Sequence, residues 1–194
     1  MEKKIIIVGA GLVGSLWAVY MRKAGYKVVI YERRSDIRKA EISAGKSINL
    51  ALSERGWNSL KTAGIKEDIE KIAIPMSGRV MHSEEGKLTY QAYGKKDEAI
   101  YSVSRGHLNA IMMDLAEKKG NSEIHYQHQC IDADLKNGKI TLKNLKTNEI
   151  FEDQADVVFA ADGAYSAIRY NSMQKVDRFN FSQFYVEDGY KELL

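Results

Sequence analysis

The sequence of 194 residues contains a single cysteine, Cys130, and a single proline, Pro75. One thiol cannot close an internal disulfide and offers no cysteine framework for a metal, so a reducing, cytoplasmic setting is expected. Histidine is scarce as well. His82, His107, His125 and His128 include one i, i+3 pair but not the three or four convergent ligands that zinc requires, and no metal site is expected. Charge of one sign is also lacking: 29 Lys+Arg against 26 Asp+Glu leave a net +3, too little for a dedicated nucleic-acid binder. The densest basic stretch, Arg22 to Lys39, holds seven Lys/Arg together with Glu32 and Asp36, the mixture of a solvated face and loop. No apolar run reaches the ~18 residues of a membrane span. The charged start before Ile5–Tyr20 has the outline of a secretory signal, but no small-x-small cleavage pattern precedes Arg22-Lys23. Repeats and low-complexity tracts are absent. At 44 % hydrophobic and 28 % charged the chain is an ordinary globular one, long enough to bury a sizeable core.

What is present begins with a β-branched run, Ile5-Ile6-Ile7-Val8, the pattern of a strand buried on both faces of a parallel sheet. Gly9 to Gly14 then opens a helix expected to reach about Ala24 and to stop at Gly25, and Lys27 to Tyr31 reads as a second strand. Strand, glycine turn, helix and strand make a βαβ unit. Arg33 to Lys46 is expected to be loop with some helix. Ser47 to Leu52 leads to Ser53, which should cap a helix running to Ala63 and ending at Gly64. Pro75 is expected to mark the turn before a β-rich segment of two or three antiparallel strands: Arg79–Ser83, Leu88–Tyr93 and Ile100–Val103. Ser104 to Lys119 is expected to be a helix with Leu108, Ile111, Met112 and Leu115 on its buried face. Glu123–Cys130 follows as a strand, Leu135–Leu142 as a hairpin turning at Asn137-Gly138, and Glu149–Phe151 as a short strand. Asp156–Ala160 reads as another buried strand, and a helix is expected from near Ala164. The fold class is α/β: a Rossmann-like parallel sheet that binds a dinucleotide, carrying inserted antiparallel strands.

The chemistry-bearing pattern is Gly9-Ala10-Gly11-Leu12-Val13-Gly14, a G-x-G-x-x-G placed after a strand and opening a helix. Gly9 makes the tight turn, Gly11 lets a pyrophosphate approach the backbone, and Gly14 allows close helix packing. The helix N-terminus offers N–H groups and a positive dipole end to phosphates. Glu32, after the second strand, stands where a carboxylate accepts ribose hydroxyls. The pattern alone does not separate FAD from NAD. A second segment, Ala160 to Arg169, places Asp162 and Gly163 at the end of a later strand. It reads either as a second contact to the same cofactor or as a strand-to-helix turn with an Asp cap.

Together the two segments resemble the flavoprotein aromatic hydroxylases. The resemblance extends through Gly45–Gly56, Ile74-Pro75-Met76 with Arg79 to Ser83, Tyr101–Arg105 and Asp162–Ser166. It is strongest to the members that hydroxylate L-kynurenine, where an Arg more often stands at the place of Lys46. It covers essentially the whole chain, in order. It implies FAD contacts at Val13, Tyr31, Glu32, Arg33, Arg34, Ala51, Arg105, Cys130 and Asp162 with Gly163, beside Gly9, Gly11 and Gly14. Arg105 also reads as an ordinary arginine at a helix start, and Cys130 as a small buried thiol. The resemblance further implies that Arg79 and Tyr93 bind substrate, a guanidinium fork meeting the α-carboxylate and a phenol donating a third hydrogen bond. NADPH would reduce FAD, and O₂ would add to the flavin as a C4a-hydroperoxide that hydroxylates kynurenine to 3-hydroxykynurenine, in tryptophan catabolism and pyridine nucleotide biosynthesis. No side chain is expected to act as a catalytic base.

The implied organisation is one hydroxylase-type unit over 1–194. Its FAD framework covers about 1–74 and 104–172, a substrate-side β insertion covers about 75–103, and a further substrate-side segment begins at about 173–194. Members of the family are more than twice as long, so the chain reads as their N-terminal portion. Two alternatives stand beside this reading: a non-catalytic dinucleotide-binding fragment that needs the remainder of the protein, and a flavin hydroxylase for another aromatic acid.

Overall fold

The structure, a computed structural model, describes residues 2–39, 49–96, 98–118 and 122–189. It divides into two compact units, one of residues 1–42 with 112–194 and one of residues 43–111. The stretch 40–48, which holds part of the expected loop and the Gly45–Ile48 portion of the resemblance, lies outside the described residues. So do Lys119 and the C-terminal 190–194.

The first unit opens with β1 (Lys4–Val8), α1 (Leu12–Lys23) and β2 (Lys27–Glu32), the expected βαβ. β1 and β2 run parallel with Ile6 opposite Val29 and Val8 opposite Tyr31. Ile6 and Ile7 are fully buried, because both faces of β1 are covered.

The second unit begins with β3 (Asn49–Leu52) and α2 (Glu54–Ala63), which Ser53 precedes in extended conformation and left-handed Gly64 ends. A short α3 (Lys66–Glu70) follows that periodicity had not shown; five residues are too few to display a period. β4 (Ile74–Met76) contains Pro75 inside a strand, not in the expected turn. β5 (Gly78–His82) and β6 (Leu88–Ala92) form a two-stranded hairpin, and β7 (Ile100–Ser104) lies between β3 and β4 in a separate antiparallel sheet. Pro75 is tolerated because β4 is an edge strand of that sheet, where a missing N–H costs no ladder bond.

α4 (Arg105–Lys118) runs from the second unit back into the first. Its buried side is Leu108, Asn109, Met112, Met113 and Ala116, rotated slightly from the expected face, with Ile111 and Leu115 only half-buried.

The expected single strand Glu123–Cys130 is broken. β8 (Ser122–Tyr126) joins the parallel sheet beside β2, whereas β9 (His128–Asp134) belongs to an antiparallel one. Gln127, at φ 59°, is the corner between them. β9, β10 (Lys139–Asn144) and β11 (Ile150–Gln154) form a three-stranded meander whose first turn falls at Asn137-Gly138 as expected. Asp134 holds that turn by accepting from Lys136 N, Asn137 N and Asn137 Nδ2.

β12 (Val157–Ala160) then pairs parallel with β1, which completes a four-stranded sheet in the order β12-β1-β2-β8. It is not the doubly buried strand its sequence suggested. Val157 is 44 % exposed, because β12 is the outer strand of the sheet. The helix expected near Ala164 begins three residues later as α5 (Ala167–Asn171), capped by Ser166 Oγ accepting from Arg169 N.

Alternation along β1 and β2 sends two sets of side chains to opposite faces. Ile6, Val8, Val29 and Tyr31 pack with Cys130, Ile140 and Leu142 of the meander. On the other face α1 covers Ile7, Ile30 and β12, with Trp17 edge-on to Phe159 at 5.2 Å between ring centroids. Ile7→Ala would open a cavity at a fully buried position. It is expected to cost about 2–5 kcal/mol in denaturant unfolding; a loss below about 1 kcal/mol would show that this layer is not close-packed.

Candidate functional site

β1 ends where the chain must turn sharply to start α1, and the glycines are distributed accordingly. Gly9 takes φ +100°, and a Cβ there would lie 2.6 Å from the Ala161 carbonyl oxygen. Its N–H donates to the Tyr31 carbonyl at 2.8 Å, which locks the turn onto β2. A Cβ on Gly14 would run into the Gly9 carbonyl, so the third glycine serves packing of the helix on the turn itself. Gly11 differs: a Cβ there meets nothing within 4 Å. It is also the N-cap of α1, which has no side-chain cap and no acidic residue in its first turn. The start of α1 therefore combines open space, N–H groups and the positive end of a helix dipole, the requirements of a diphosphate seat. Val13, 72 % exposed, stands on this first turn.

Glu32, at the end of β2, is 4 % exposed and turned back onto the glycine turn. Its Oε2 accepts from Ala10 N at 2.8 Å, and its Oε1 from Arg34 N at 2.9 Å and Arg34 Nε at 2.8 Å. Arg34 Nη2 reaches Oε2 at 3.3 Å, so all four acceptor positions are in use. Burial alone would raise the Glu32 pKa, but the hydrogen bonds and charge of Arg34 and the Ala10 N–H outweigh it and hold the carboxyl below its ordinary range. A ribose hydroxyl would have to replace part of the Arg34 interaction. The Arg34 side chain is half exposed.

Asp162 follows β12 on the other side of the turn. Its Oδ2 accepts from Ala167 N at 2.7 Å, so the capping role is real. Its Oδ1 is buried with no hydrogen-bond partner, and an orphaned carboxylate oxygen is costly unless a ligand completes it. Both readings of the Ala160–Arg169 segment thus have an oxygen to support them. Gly163, at φ +82°, has open space on its Cβ side.

The remaining expected contacts fall differently. The Tyr31 ring is buried, stacked on His125 at 5.0 Å, and its hydroxyl donates to Asp153 Oδ2 at 2.8 Å, so only its backbone faces the turn. Cys130 lies in the core with burial, and then the Asp162 charge, pushing its thiol up to about 12. This thiol is inert and serves packing. Arg33 is exposed. In the second unit, Ala51 pairs with Ser102 in the β3–β7 ladder, and Arg105 is the first residue of α4, directly after the Asn49–Ser104 pair that ends the ladder; both are exposed. Arg79 Nε donates to Gln91 Oε1 at 2.8 Å across the hairpin, and Tyr93, two residues beyond Gln91, is 43 % exposed. Beside it, Ser77, Tyr90, Ala92, Lys95 and Glu98 line a concavity of about 360 Å³. The sequence reading missed Ala10, whose N–H fixes Glu32, and Arg38, whose partners lie up to 88 residues away. Neither carries a local signal.

The described residues contain no cluster of three or more metal-ligating side chains and no helix long and apolar enough to cross a membrane. Residues 2–185 match the model of the FAD binding domain family. The chain is 45 % identical over 192 residues to kynurenine 3-monooxygenase of Christiangramia forsetii, covering 99 % of this chain and 42 % of that protein. It is 43 % identical to kynurenine 3-monooxygenase of Anopheles gambiae, covering 97 % of this chain and 39 % of the other. It thus spans about two fifths of the length of the curated relatives it matches. Among solved structures, 2-methyl-3-hydroxypyridine-5-carboxylic acid oxygenase superposes over 87 % of this chain and 41 % of its own, with a TM-score of 0.69 at 21 % identity. The flavin-dependent monooxygenase PieE, solved with FAD and substrate, gives 0.73 at 17 % identity over 86 % of this chain and 31 % of its own. These two likenesses establish the fold.

Glu32→Gln tests the carboxylate at the turn. A lowered carboxyl pKa contributes stability that is fully present above the ordinary value of 4.5 and is lost as pH falls through the folded value. The variant is therefore expected to be less stable than the parent by about 1–3 kcal/mol at pH 7. In thermal melts the gap should close as the pH drops below 4.5. A gap that is constant across that window would show that the charge of Glu32 is not what holds the turn.

Proposed function

The chain belongs to the FAD binding domain family, and on that premise we propose that it is the cofactor-holding part of an FAD-dependent aromatic hydroxylase that converts L-kynurenine to 3-hydroxykynurenine. The observation that carries the cofactor reading is the start of α1: open space beside Gly11, no competing cap, and the buried, unpartnered Oδ1 of Asp162 across the turn. The substrate reading rests on 45 % identity over nearly the whole chain to a kynurenine 3-monooxygenase.

The residues present fit FAD. The backbone at Gly11 and the first turn of α1 would hold the pyrophosphate, Glu32 would accept a ribose hydroxyl in place of its longest bond, the 3.3 Å one from Arg34 Nη2, while Arg34 N and Nε keep the carboxylate oriented, and Gly9 and Gly14 keep the turn narrow enough for both. Bound FAD supplies the redox chemistry, with NADPH as reductant and O₂ as oxidant. The chain's own task is positioning. Arg79, presented on the β5–β6 hairpin, would exchange its Gln91 partner for the kynurenine carboxylate in a bidentate pair. Tyr93 would donate to the same group, which fixes the aromatic ring without any side-chain base. The product belongs to tryptophan catabolism and pyridine nucleotide biosynthesis, and we place the protein in the cytoplasm.

On this reading residues 1–74 and 104–172 form the cofactor framework, 75–103 the substrate-side insertion and 173–194 the start of a further substrate-side segment. The chain spans 42 % of the relative's length, and the hydroxylase activity is proposed for the whole protein.

The test is an absorbance spectrum of the purified chain after FAD addition and gel filtration, then a kynurenine titration. A retained flavin band would support the cofactor reading, and a shift with kynurenine the substrate reading. A chain that takes up no FAD, in a preparation with a cooperative thermal melt, would overturn the first. In the longer protein, Arg79→Met is expected to raise the KM for kynurenine about 10–100-fold with little change in kcat, as loss of a charge-assisted pair predicts. An unchanged KM would remove Arg79 from the substrate site.

A further inference from the structure

Outside the glycine turn, the most heavily bonded side chain among the described residues is Arg38, which neither the resemblance nor the proposed reaction uses. It lies on the segment leaving β2, six residues after Glu32. Its Nε donates to Asp36 Oδ1 at 2.8 Å and its Nη2 to Asp36 Oδ2 at 2.9 Å, a bidentate fork. Nη1 donates to Asp114 Oδ1 at 2.8 Å and to Glu117 Oε2, both on α4. Nη2 also donates to the Tyr126 hydroxyl at 2.7 Å, and the guanidinium lies 5.7 Å from the Tyr126 ring centroid. The side chain is 19 % exposed and Asp36 only 8 %. One cation thus gathers three carboxylates and a phenol from three elements. Lys118, 3.7 Å from Asp114 Oδ2, provides further positive charge at the edge.

The connection to the candidate site runs through Arg34. The Arg34 carbonyl accepts from Gln127 N at 3.1 Å, and Arg38 is bound to Tyr126. Both ends of the segment 34–38 are therefore pinned to the corner where β8 ends. Glu32 itself pairs with Tyr126 in the β2–β8 ladder. With its two ends fixed, the segment presents the Arg34 backbone and guanidinium to Glu32 in one geometry. A loop of this length without the second anchor would sample many conformations, and Glu32 with Arg34 would be presented in only a fraction of them.

We infer that Arg38 is a positioning residue for the adenosine end of the dinucleotide: by clamping Asp36, α4 and Tyr126 it sets the loop that carries Arg34 against Glu32. The inference rests on the reading that Glu32 and Arg34 face the adenosine ribose. Arg38 touches no ligand; it acts through the placement of Arg34. An ammonium cannot reproduce the planar fork that engages Asp36 while also serving α4 and Tyr126.

The experiment measures dissociation constants of the full chain for FAD, ADP and FMN in the parent, Arg38→Met, Arg38→Lys and Lys4→Met. Lys4→Met removes the Lys4–Asp153 ion pair elsewhere in the first unit and controls for general destabilisation. Parent protein that binds ADP in competition with FAD upholds the adenosine reading; parent that binds FAD but not ADP overturns that reading, and with it the inference. Given ADP binding, Arg38→Met is expected to weaken ADP and FAD by the same factor, about tenfold, and to leave FMN unchanged. Arg38→Lys should recover only part of the loss, and Lys4→Met should lower the Tm without touching ADP affinity. ADP affinity in Arg38→Met within about twofold of the parent, or an equal loss in Lys4→Met, would overturn the role of Arg38 while leaving the FAD reading in place. If Arg38→Met does not fold, Tyr126→Phe removes one bond of the clamp. It is then expected to weaken ADP by about two- to fivefold, as one hydrogen bond is worth, and an unchanged ADP affinity would sink the inference.

Discussion

The burial of β1 between two parallel neighbours is the constraint on which the rest of the molecule depends. Val8 pairs with Tyr31 on one side and Ala160 on the other, so the chain leaving β1 emerges between the ends of β2 and β12. The turn that follows must fit between the Tyr31 carbonyl, to which Gly9 donates, and the Ala161 carbonyl, whose own N–H is bonded to Val8. A residue with a side chain does not fit there. The same pairing delivers Glu32 and Asp162 to either side of the turn, since Glu32 ends β2 and Asp162 lies just beyond β12, both strands in register with β1. Open parallel sheets bind ligands at such a place, outside the carboxyl ends of adjacent strands. The site is thus a consequence of strand order before any particular side chain is considered.

The meander β9–β10–β11 completes the arrangement by covering the face that α1 leaves open. Its inward residues Cys130, Ile140 and Leu142 meet Ile6, Val8, Val29 and Tyr31. This explains why two residues that the resemblance places near the cofactor, Tyr31 and Cys130, are core side chains in the structure. The Tyr31 carbonyl lies at the turn, while both side chains belong to the layer beneath it. Substituting either would act first on packing, and an effect on cofactor binding would have to be separated from lost stability.

The legible parts of the sequence were those in which one local period or one rigid turn decides the outcome. Ile5–Val8, the spaced glycines and Asn137-Gly138 fall where expected, because β-branching, tight turns and hairpin chemistry act within a few residues. The errors arise where a neighbour distant in sequence decides. Pro75 sits in a strand because β4 happens to be an edge. Glu123–Cys130 looks continuous because a left-handed Gln127 has no reliable signature in sequence; only the switch from the parallel sheet to the antiparallel one reveals it. Val157 is exposed because, among the described residues, β12 is the outer strand of its sheet. In the site, the glycines and acids could be read from spacing. The saturation of Glu32 by Arg34 and Ala10, and the Arg38 clamp, depend on side-chain geometry that spacing does not encode.

The two halves of the proposed chemistry differ in how far the described residues already provide for them. At the glycine turn the groups are preorganised: Glu32 is buried and ionised, Asp162 is fixed by Ala167, and the helix end is aimed. Such dipoles and charges act strongly because little reorganisation is needed when a ligand arrives. The β5–β6 hairpin is the reverse case. Along it Arg79, Val80, Leu88 and Tyr90 are all exposed to solvent, and a guanidinium in water gains little from a carboxylate because the effective dielectric is high. In the proposed role, Arg79 would discriminate an amino-acid carboxylate only where water is excluded from the hairpin. On the proposed reading, cofactor affinity would therefore come from the folded framework, and substrate selectivity would depend on enclosure.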